Sequence, residues 1–324
     1  MYNVASPQSK EIIKVSRHGI CDIKRMSSEV YLVRLKNGQI TQFNIRTKRT
    51  LFTTDVGHSH QIQRALIHPN DCDVMASTGF DGTVRKWNLK NMQMELSFED
   101  RKAQGRDNVI QSLAWCKMMP PRGQNKDSYD NIVVVGTSAG NLKLVDLSRN
   151  KVIQAIQVGK NDCNVFALDW NSQGLLGIGT SESTVFLKKL DQGTTTLVDV
   201  SQIQVQSACR CVTWNPLAQN LMALGLFDGR ILIYDAERDE TIQTLQGTDQ
   251  RILCLEWHPQ FDYILAAGSF DNIVRVHDTK FTGHKELEFH NDRVRSLLWS
   301  SEIPWMLTSG ADDSKQAVWD IRNK

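Results

Sequence analysis

The chain has 324 residues, 40% of them hydrophobic and 23% charged, and its 38 Lys+Arg against 36 Asp+Glu leave a formal net charge of +2. That is an ordinary globular balance at a length that buries a sizeable core. It excludes bulk attraction to nucleic acid or to an anionic membrane, either of which would need a local basic patch.

No apolar run approaches the roughly 20 residues that span a bilayer. The start, MYNVASPQSKEIIK, lacks the apolar stretch of a signal peptide. Seven cysteines are scattered from Cys21 to Cys254 with no CxxC pair, which fits a reducing compartment. The expectation is an intracellular protein with no membrane partner, the cytoplasm first and nucleus or cilium open.

In chain order, Glu11–Arg17 (EIIKVSR) reads as a strand with no neighbour of its own. A short alternating phrase then recurs: ICDIKRM from Ile20, IQRALIHP from Ile62, VIQSLAW to Trp115, VFALDW to Trp170, CVTW to Trp214, ILCLEW to Trp257 and VRSLLW to Trp299. The last four tryptophans are 44, 43 and 42 residues apart. Period-2 alternation marks strands with one buried face.

Each copy is followed by a second phrase: a short apolar strand, a tight turn and another alternating strand. It is clearest in MASTGFDGTVRKWNL from Met75, LGLFDGRILIYD from Leu224 and AAGSFDNIVRVHD from Ala266. Asp-Gly supplies the positive backbone angles of a hairpin turn. No long amphipathic helix is found, so the class is all-β.

A period of roughly 40–45 residues with four strands per unit is that of a propeller blade. One such sheet cannot cover both of its faces, whereas seven stacked around an axis can. Length alone suggests one or two domains; the repeat predicts one closed domain. The blades fall at 18–55, 58–98, 107–156, 161–199, 207–246, 249–289 and 290–321. The seventh lacks an outer strand, and 11–17 is expected to supply it.

Over nearly its whole length the sequence resembles the WD40-repeat β-propellers. The resemblance implies a His–Ser–Asp–Trp network at His58, Ser77, Asp81 and Trp87 in the second blade, with Gly57 before the histidine. In the seventh it falls at His290, Ser309, Asp313 and Trp319. Other blades depart: Glu182 stands at the fourth turn, Ala139 at the third, and Thr248 replaces histidine in the sixth. A narrower resemblance is carried by GHSHQIQRALIHPNDCDVMASTGFDGT, VIQSLAW and RVRSLLWSSEIPWMLTSG. It is to one propeller of the WD repeat-containing protein seventeen family, which joins tandem propellers to a helical tail.

Catalytic patterns are few. Gly136-Thr137-Ser138-Ala139-Gly140 fits G-x-S-x-G, but the strand-like NLKLVDL follows where a nucleophile elbow needs a helix. His58 and His60 lack further metal ligands, and Cys209 and Cys211 are read as pointing to opposite faces of a strand. Asp312-Asp313 resembles a carboxylate pair but belongs to a turn. No enzyme and no cofactor are expected.

Loops on a rigid scaffold carry recognition. On the face bearing the Gly-His phrase and the hairpin turns (the top), three positions per blade are expected to look outward. These flank the first apolar residue of the inner strand and precede the turn Asp. They hold Gly19, Cys21 and Lys36 in blade one, Gln61, Gln63 and Phe80 in two, Val109, Gln111 and Ser138 in three, and Asn164, Phe166 and Ser181 in four. Blades five to seven hold Ala208, Arg210 and Phe227, then Arg251, Leu253 and Phe270, then Arg293, Arg295 and Asp312.

Arginine and aromatics are enriched at interface hot spots. Arg210, Phe227, Arg251, Phe270, Arg293 and Arg295, with Phe80 and Phe166, are therefore the expected partner-binding residues. The bland alternative pairs the arginines with Asp292 or Asp312 and tucks the phenylalanines between blades. The expected function is a non-catalytic scaffold, a subunit of a larger complex, holding a protein or peptide with an acidic extended segment. The alternative is RNA stacked on the same arginines and phenylalanines. The insertion 116–131 on the opposite face and FEDRKAQGRD (98–107) on the top rim are further candidate contacts.

Overall fold

The computed structural model describes residues 11–14, 20–27, 29–35, 37–54, 58–99, 109–117, 130–160, 162–191, 193–281 and 283–322, with backbone alone at 11–14, 20–22 and 24–25. They form 28 strands, β1 to β28 in chain order, in seven antiparallel sheets of four. No helix among the described residues is long and apolar enough to cross a membrane.

Six sheets take four consecutive strands each. Their innermost members are β2 (Ile20–Arg25), β6 (Ile62–Ile67), β10 (Ile110–Trp115), β14 (Val165–Trp170), β18 (Cys209–Trp214) and β22 (Ile252–Trp257). The seventh runs β26 (Val294–Trp299), β27 (Met306–Ala311), β28 (Lys315–Asp320) and then β1 (Glu11–Lys14). β1 pairs antiparallel with β28 from Glu11↔Val318 to Lys14↔Lys315, so the two ends of the chain share one blade. Residues 15–17 of the expected closing strand lie outside the described residues. The outer strand of blade four, β17 (Thr196–Gln204), runs past the expected boundary at 199.

Each innermost strand packs on the next, and β26 packs on β2, which closes the ring. Burial falls outward across each blade. β11 (Ile132–Thr137, IVVVGT) is buried on both faces, whereas outer strands such as β9 (Gln93–Glu99) are mostly exposed. The core lies between blades: Ala167, Leu187, Val212, Trp214, Met222 and Tyr234 form one wedge across blades four and five. Gly177 makes that contact close, since a Cβ there would meet Met222 Sδ at 2.6 Å and Val212 at 2.8 Å.

The recurring tryptophans stitch the ring. The indole N–H donates to a main-chain carbonyl of the preceding blade in Trp115→Leu66 (3.0 Å), Trp214→Asp169 (3.1 Å), Trp257→Thr213 (3.2 Å) and Trp299→Glu256 (3.0 Å). The residue after the inner strand reaches the other way. His68 Nε2 bonds Asp130 O at 2.7 Å, Asn171 donates to Gln219 O at 3.0 Å, and Asn215 donates to Asp262 O at 2.7 Å. Buried polar groups need such partners, so the repeat encodes blade-to-blade adhesion.

Candidate functional site on the top face

Every inner strand carries a β-bulge at its second residue. The register skips Cys21, Gln63, Gln111, Phe166, Arg210, Leu253 and Arg295. A bulge re-aims the side chain it inserts. The other two outward positions are tied by main-chain bonds, the residue before the turn donating to the one before the inner strand. Phe80 N reaches Gln61 O at 3.0 Å and Ser138 N reaches Val109 O at 2.9 Å. Phe227→Ala208 and Phe270→Arg251 are 2.9 Å, and Asp312→Arg293 is 3.0 Å. The three positions thus form one cluster per blade. Gly19 and Lys36 lie outside the described residues, as does the side chain of Cys21.

In blades two and seven the turn is locked from beneath. Trp87 Nε1 donates to Ser77 Oγ at 2.7 Å, His58 Nε2 and Ser77 Oγ are 2.7 Å apart, and His58 Nδ1 stands 2.9 Å from both Asp81 oxygens. Burial holds the His58 pKa below its ordinary value, against the upward pull of Asp81. Burial disfavours the Asp81 charge, yet the bond from His58 keeps that carboxyl well below the usual carboxylate range. In blade seven His290 and Trp319 each lie 2.8 Å from Ser309 Oγ, and His290 Nδ1 is 3.2 Å from Asp313. Gly57 lies outside the described residues.

The departing blades rewire the same turn. Thr137 Oγ1 accepts from Ala139 N and Asn141 N in blade three, and Glu182 accepts from Lys160 N at 2.8 Å in blade four. In blade six, buried Arg275 donates to Asp271 at 2.7 Å and to Glu286 at 2.8 Å.

Across blades four to seven the arginines and phenylalanines form a continuous row. Arg210 stands 5.1 Å over the Phe166 ring and donates to Phe166 O at 3.3 Å. Phe166 stacks on Phe227 with centroids 5.6 Å apart and planes inclined by 21°. Arg251 lies 4.7 Å over Phe227 and 6.0 Å from Phe270, and Arg293 lies 4.0 Å over Phe270. Arg251 is exposed, while Phe166, Phe227, Phe270 and Arg293 are half-buried.

Two candidates stand outside the row. Arg295 turns instead to buried Asp312, donating through Nε (3.1 Å) and Nη2 (3.0 Å). Phe80, on blade two, is 42% exposed and takes no part in the stack. The local-pairing alternative therefore holds for Arg295. Arg251 and Arg293 have no carboxylate partner among the described residues; Asp292 accepts only the main-chain N–H of Arg293, at 2.8 Å.

Beneath the row a central cavity of about 420 Å³ is lined in part by Arg64, Arg295, Cys211, Cys254, Asp169 and Glu256. Arg64 was not among the expected outward positions. It is the third residue of β6, just past the bulge at Gln63, and no pattern of flanking residues points to it.

The remaining motifs settle as structure. Gly136–Gly140 is the turn into β12 (Asn141–Asp146), so Ser138 has no helix behind it. Cys209 and Cys211 do pack on opposite sides, in different inter-blade wedges, though simple alternation would put residues two apart on one face. The bulge at Arg210 separates them. Burial raises both thiol pKa values, Cys211 to about 12. His60 is exposed beside Ser59. Asp71, Cys72 and Asp73 bring ligand atoms within 4.8 Å of one another, but the Asp73 carboxylate is engaged by Lys90 at 2.9 Å and that of Asp71 accepts from the Asp73 main-chain N–H at 2.9 Å. Residues 118–129 of the insertion and 100–107 of the top rim lie outside the described residues.

The chain resembles known proteins in keeping with this geometry. Residues 49–88 match the WD domain, G-beta repeat, and residues 170–260 match the anaphase-promoting complex subunit 4 WD40 domain. Protein transport protein Sec31A of Danio rerio is 25% identical over 214 residues, covering 62% of this chain and 17% of that protein. Protein transport protein SEC31 of Dictyostelium discoideum is 26% identical over 61% of this chain and 16% of its own length. Anaphase-promoting complex subunit cdh1 of the same organism is 27% identical over 52% and 22%. The chain thus spans at most about a fifth of the length of these relatives. With seven four-stranded blades closed into a ring, the chain is a WD40-repeat β-propeller.

Proposed function

We propose that this propeller is a non-catalytic interaction scaffold and that a protein or peptide partner docks on the top face of blades four to seven. One observation carries the reading: the row Arg210–Phe166–Phe227–Arg251–Phe270–Arg293, in which cations sit on aromatic faces and no carboxylate among the described residues pairs with Arg251 or Arg293. Guanidinium forks on a preformed apolar base match an extended segment bearing carboxylates and an apolar anchor. The relatives support work inside an assembly, since one is named as a complex subunit.

RNA fits the row less well. Base stacking needs a free aromatic face, and those of Phe227 and Phe270 are already approached by arginine. The reading is tested by pulldown from native lysate with wild type and Arg251→Glu/Arg293→Glu. Proteins lost from the double variant at unchanged thermal stability support it, and RNA among the lost species supports the alternative. Identical recovery with both versions overturns it.

A further inference from the structure

The upper half of the central channel holds more positive charge than its carboxylates neutralise. Arg64 and Arg295 both line the cavity of about 420 Å³, on β6 of blade two and β26 of blade seven, with blade one between them. Arg210, the bulge residue of β18 next to the lining residue Cys211, is bound to Phe166 O. Arg295 is paired with Asp312. Arg64 and Arg210 have no carboxylate partner among the described residues. Among the described residues these three guanidiniums thus have one carboxylate partner, Asp312.

The cavity's own carboxylates are at its other end. Asp169 and Glu256 are each the fifth residue of an inner strand, about 7 Å further along than the level of Arg64. Asp169 is already taken by Lys117 at 2.7 Å and by Trp214 N at 2.8 Å. The like charges are felt. Burial, and then the nearby Arg64, Arg295 and Arg34, pull the Arg210 guanidinium down to about 10. A protein gains no stability from crowding guanidiniums around a polar cavity; a bound oxyanion would repay the repulsion with charge-assisted bonds.

We propose that the channel mouth is an anion site, in which Arg64, Arg210 and Arg295 take a phosphate group. The excess of two positive charges matches a dianion better than a single carboxylate. The phosphate could arrive on a phosphorylated peptide crossing the top face or on a small phosphorylated molecule entering the channel. Arg210 is shared with the docking row, whereas Arg64 and Arg295 stand outside it.

Thermal unfolding of the intact chain tests this, comparing inorganic phosphate with chloride at equal ionic strength. A ligand of the folded state raises the midpoint by mass action. For wild type the midpoint should rise by about 2 °C once phosphate exceeds its dissociation constant about tenfold, and chloride should not reproduce the rise. Arg64→Gln should be no less stable than wild type in chloride, because a repulsion has been removed, and should lose most of the phosphate response. Arg149→Gln, on an exposed turn, should keep it.

If Arg64→Gln fails to fold, the wild-type anion comparison decides. Equal midpoints in phosphate and chloride, or a full phosphate response in a folded Arg64→Gln, overturn the proposal. A phosphoserine hexapeptide and inositol hexakisphosphate, titrated separately, then distinguish the sources by which binds more tightly. Since Arg64 contributes nothing to the docking row, failure here leaves the Arg251→Glu/Arg293→Glu result standing, and the reverse also holds.

Discussion

The Arg293 guanidinium lies 4.0 Å from the centre of the Phe270 ring, and Arg251 approaches the same ring at 6.0 Å. One side chain therefore fixes two cations from neighbouring blades. A fixed cation loses less entropy on binding than a free one. Phe270 is half-buried and lies outside the inter-blade wedges, so Phe270→Leu should fold normally. It should nevertheless weaken a top-face partner about tenfold, the loss of roughly two cation–π contacts at about 0.5–1 kcal/mol each. Titration of the partner recovered with wild type measures this, and unchanged affinity would remove the row from the interface.

The fold was legible because the repeat writes it several times over. Trp214, Trp257 and Trp299 recur at blade spacing, and each indole N–H bonds the preceding blade, so the periodic residue is also the adhesive one. The grouping of three positions per blade was legible too, since the bulge and the turn bond recur from blade to blade. Their mutual arrangement was not. That Phe166 would join the arginine row from blade four depends on a bulge that lifts it onto Phe227, and Arg295 left the row because Asp312 stood within reach. Arg64 was missed because a lone arginine three residues into a strand reads as an ordinary solvated position. Only ring closure brings it to the same cavity as Arg295.

Ser77 holds the blade-two turn through two buried bonds, one to His58 and one from Trp87, both at 2.7 Å. Ser77→Ala would leave the indole N–H and the histidine Nε2 without a partner in a site with no solvent access. A loss of about 2–4 kcal/mol is expected, from two groups at about 1–2 kcal/mol each. Equilibrium unfolding in urea is the measurement. A loss below about 0.5 kcal/mol would mean that packing alone holds this turn.

Trp170 breaks the indole pattern: its Nε1 is buried and has no hydrogen-bond partner among the described residues, whereas that of Trp257 donates to Thr213 O at 3.2 Å. Replacing either by Phe removes similar volume from a similar wedge. Trp257→Phe also leaves a buried carbonyl less satisfied, and Trp170→Phe removes an unsatisfied donor. Trp257→Phe should therefore cost about 1–2 kcal/mol more than Trp170→Phe. Equal costs would show that the indole bonds contribute nothing net to ring closure.

Acid should loosen the propeller through its histidines. Burial first, then the charges of His284 and Arg275, pull His277 down to about 4, and its Nε2 has no partner among the described residues. Burial likewise lowers His58 and His290. A histidine whose folded pKa lies below its unfolded value is neutral in both states at high pH. As pH falls through about 6.5 the unfolded chain takes up the proton first, so stability is full above that point and declines towards pH 4. His277 alone should remove about 2 kcal/mol between pH 7 and pH 5. The depressed carboxyl of Asp81 adds a further loss as pH drops below about 4. His277→Phe supplies a ring that needs no partner and takes no proton; it should match wild type at pH 7 and lose less by pH 5. An unaltered pH slope in that variant would place the acid sensitivity elsewhere.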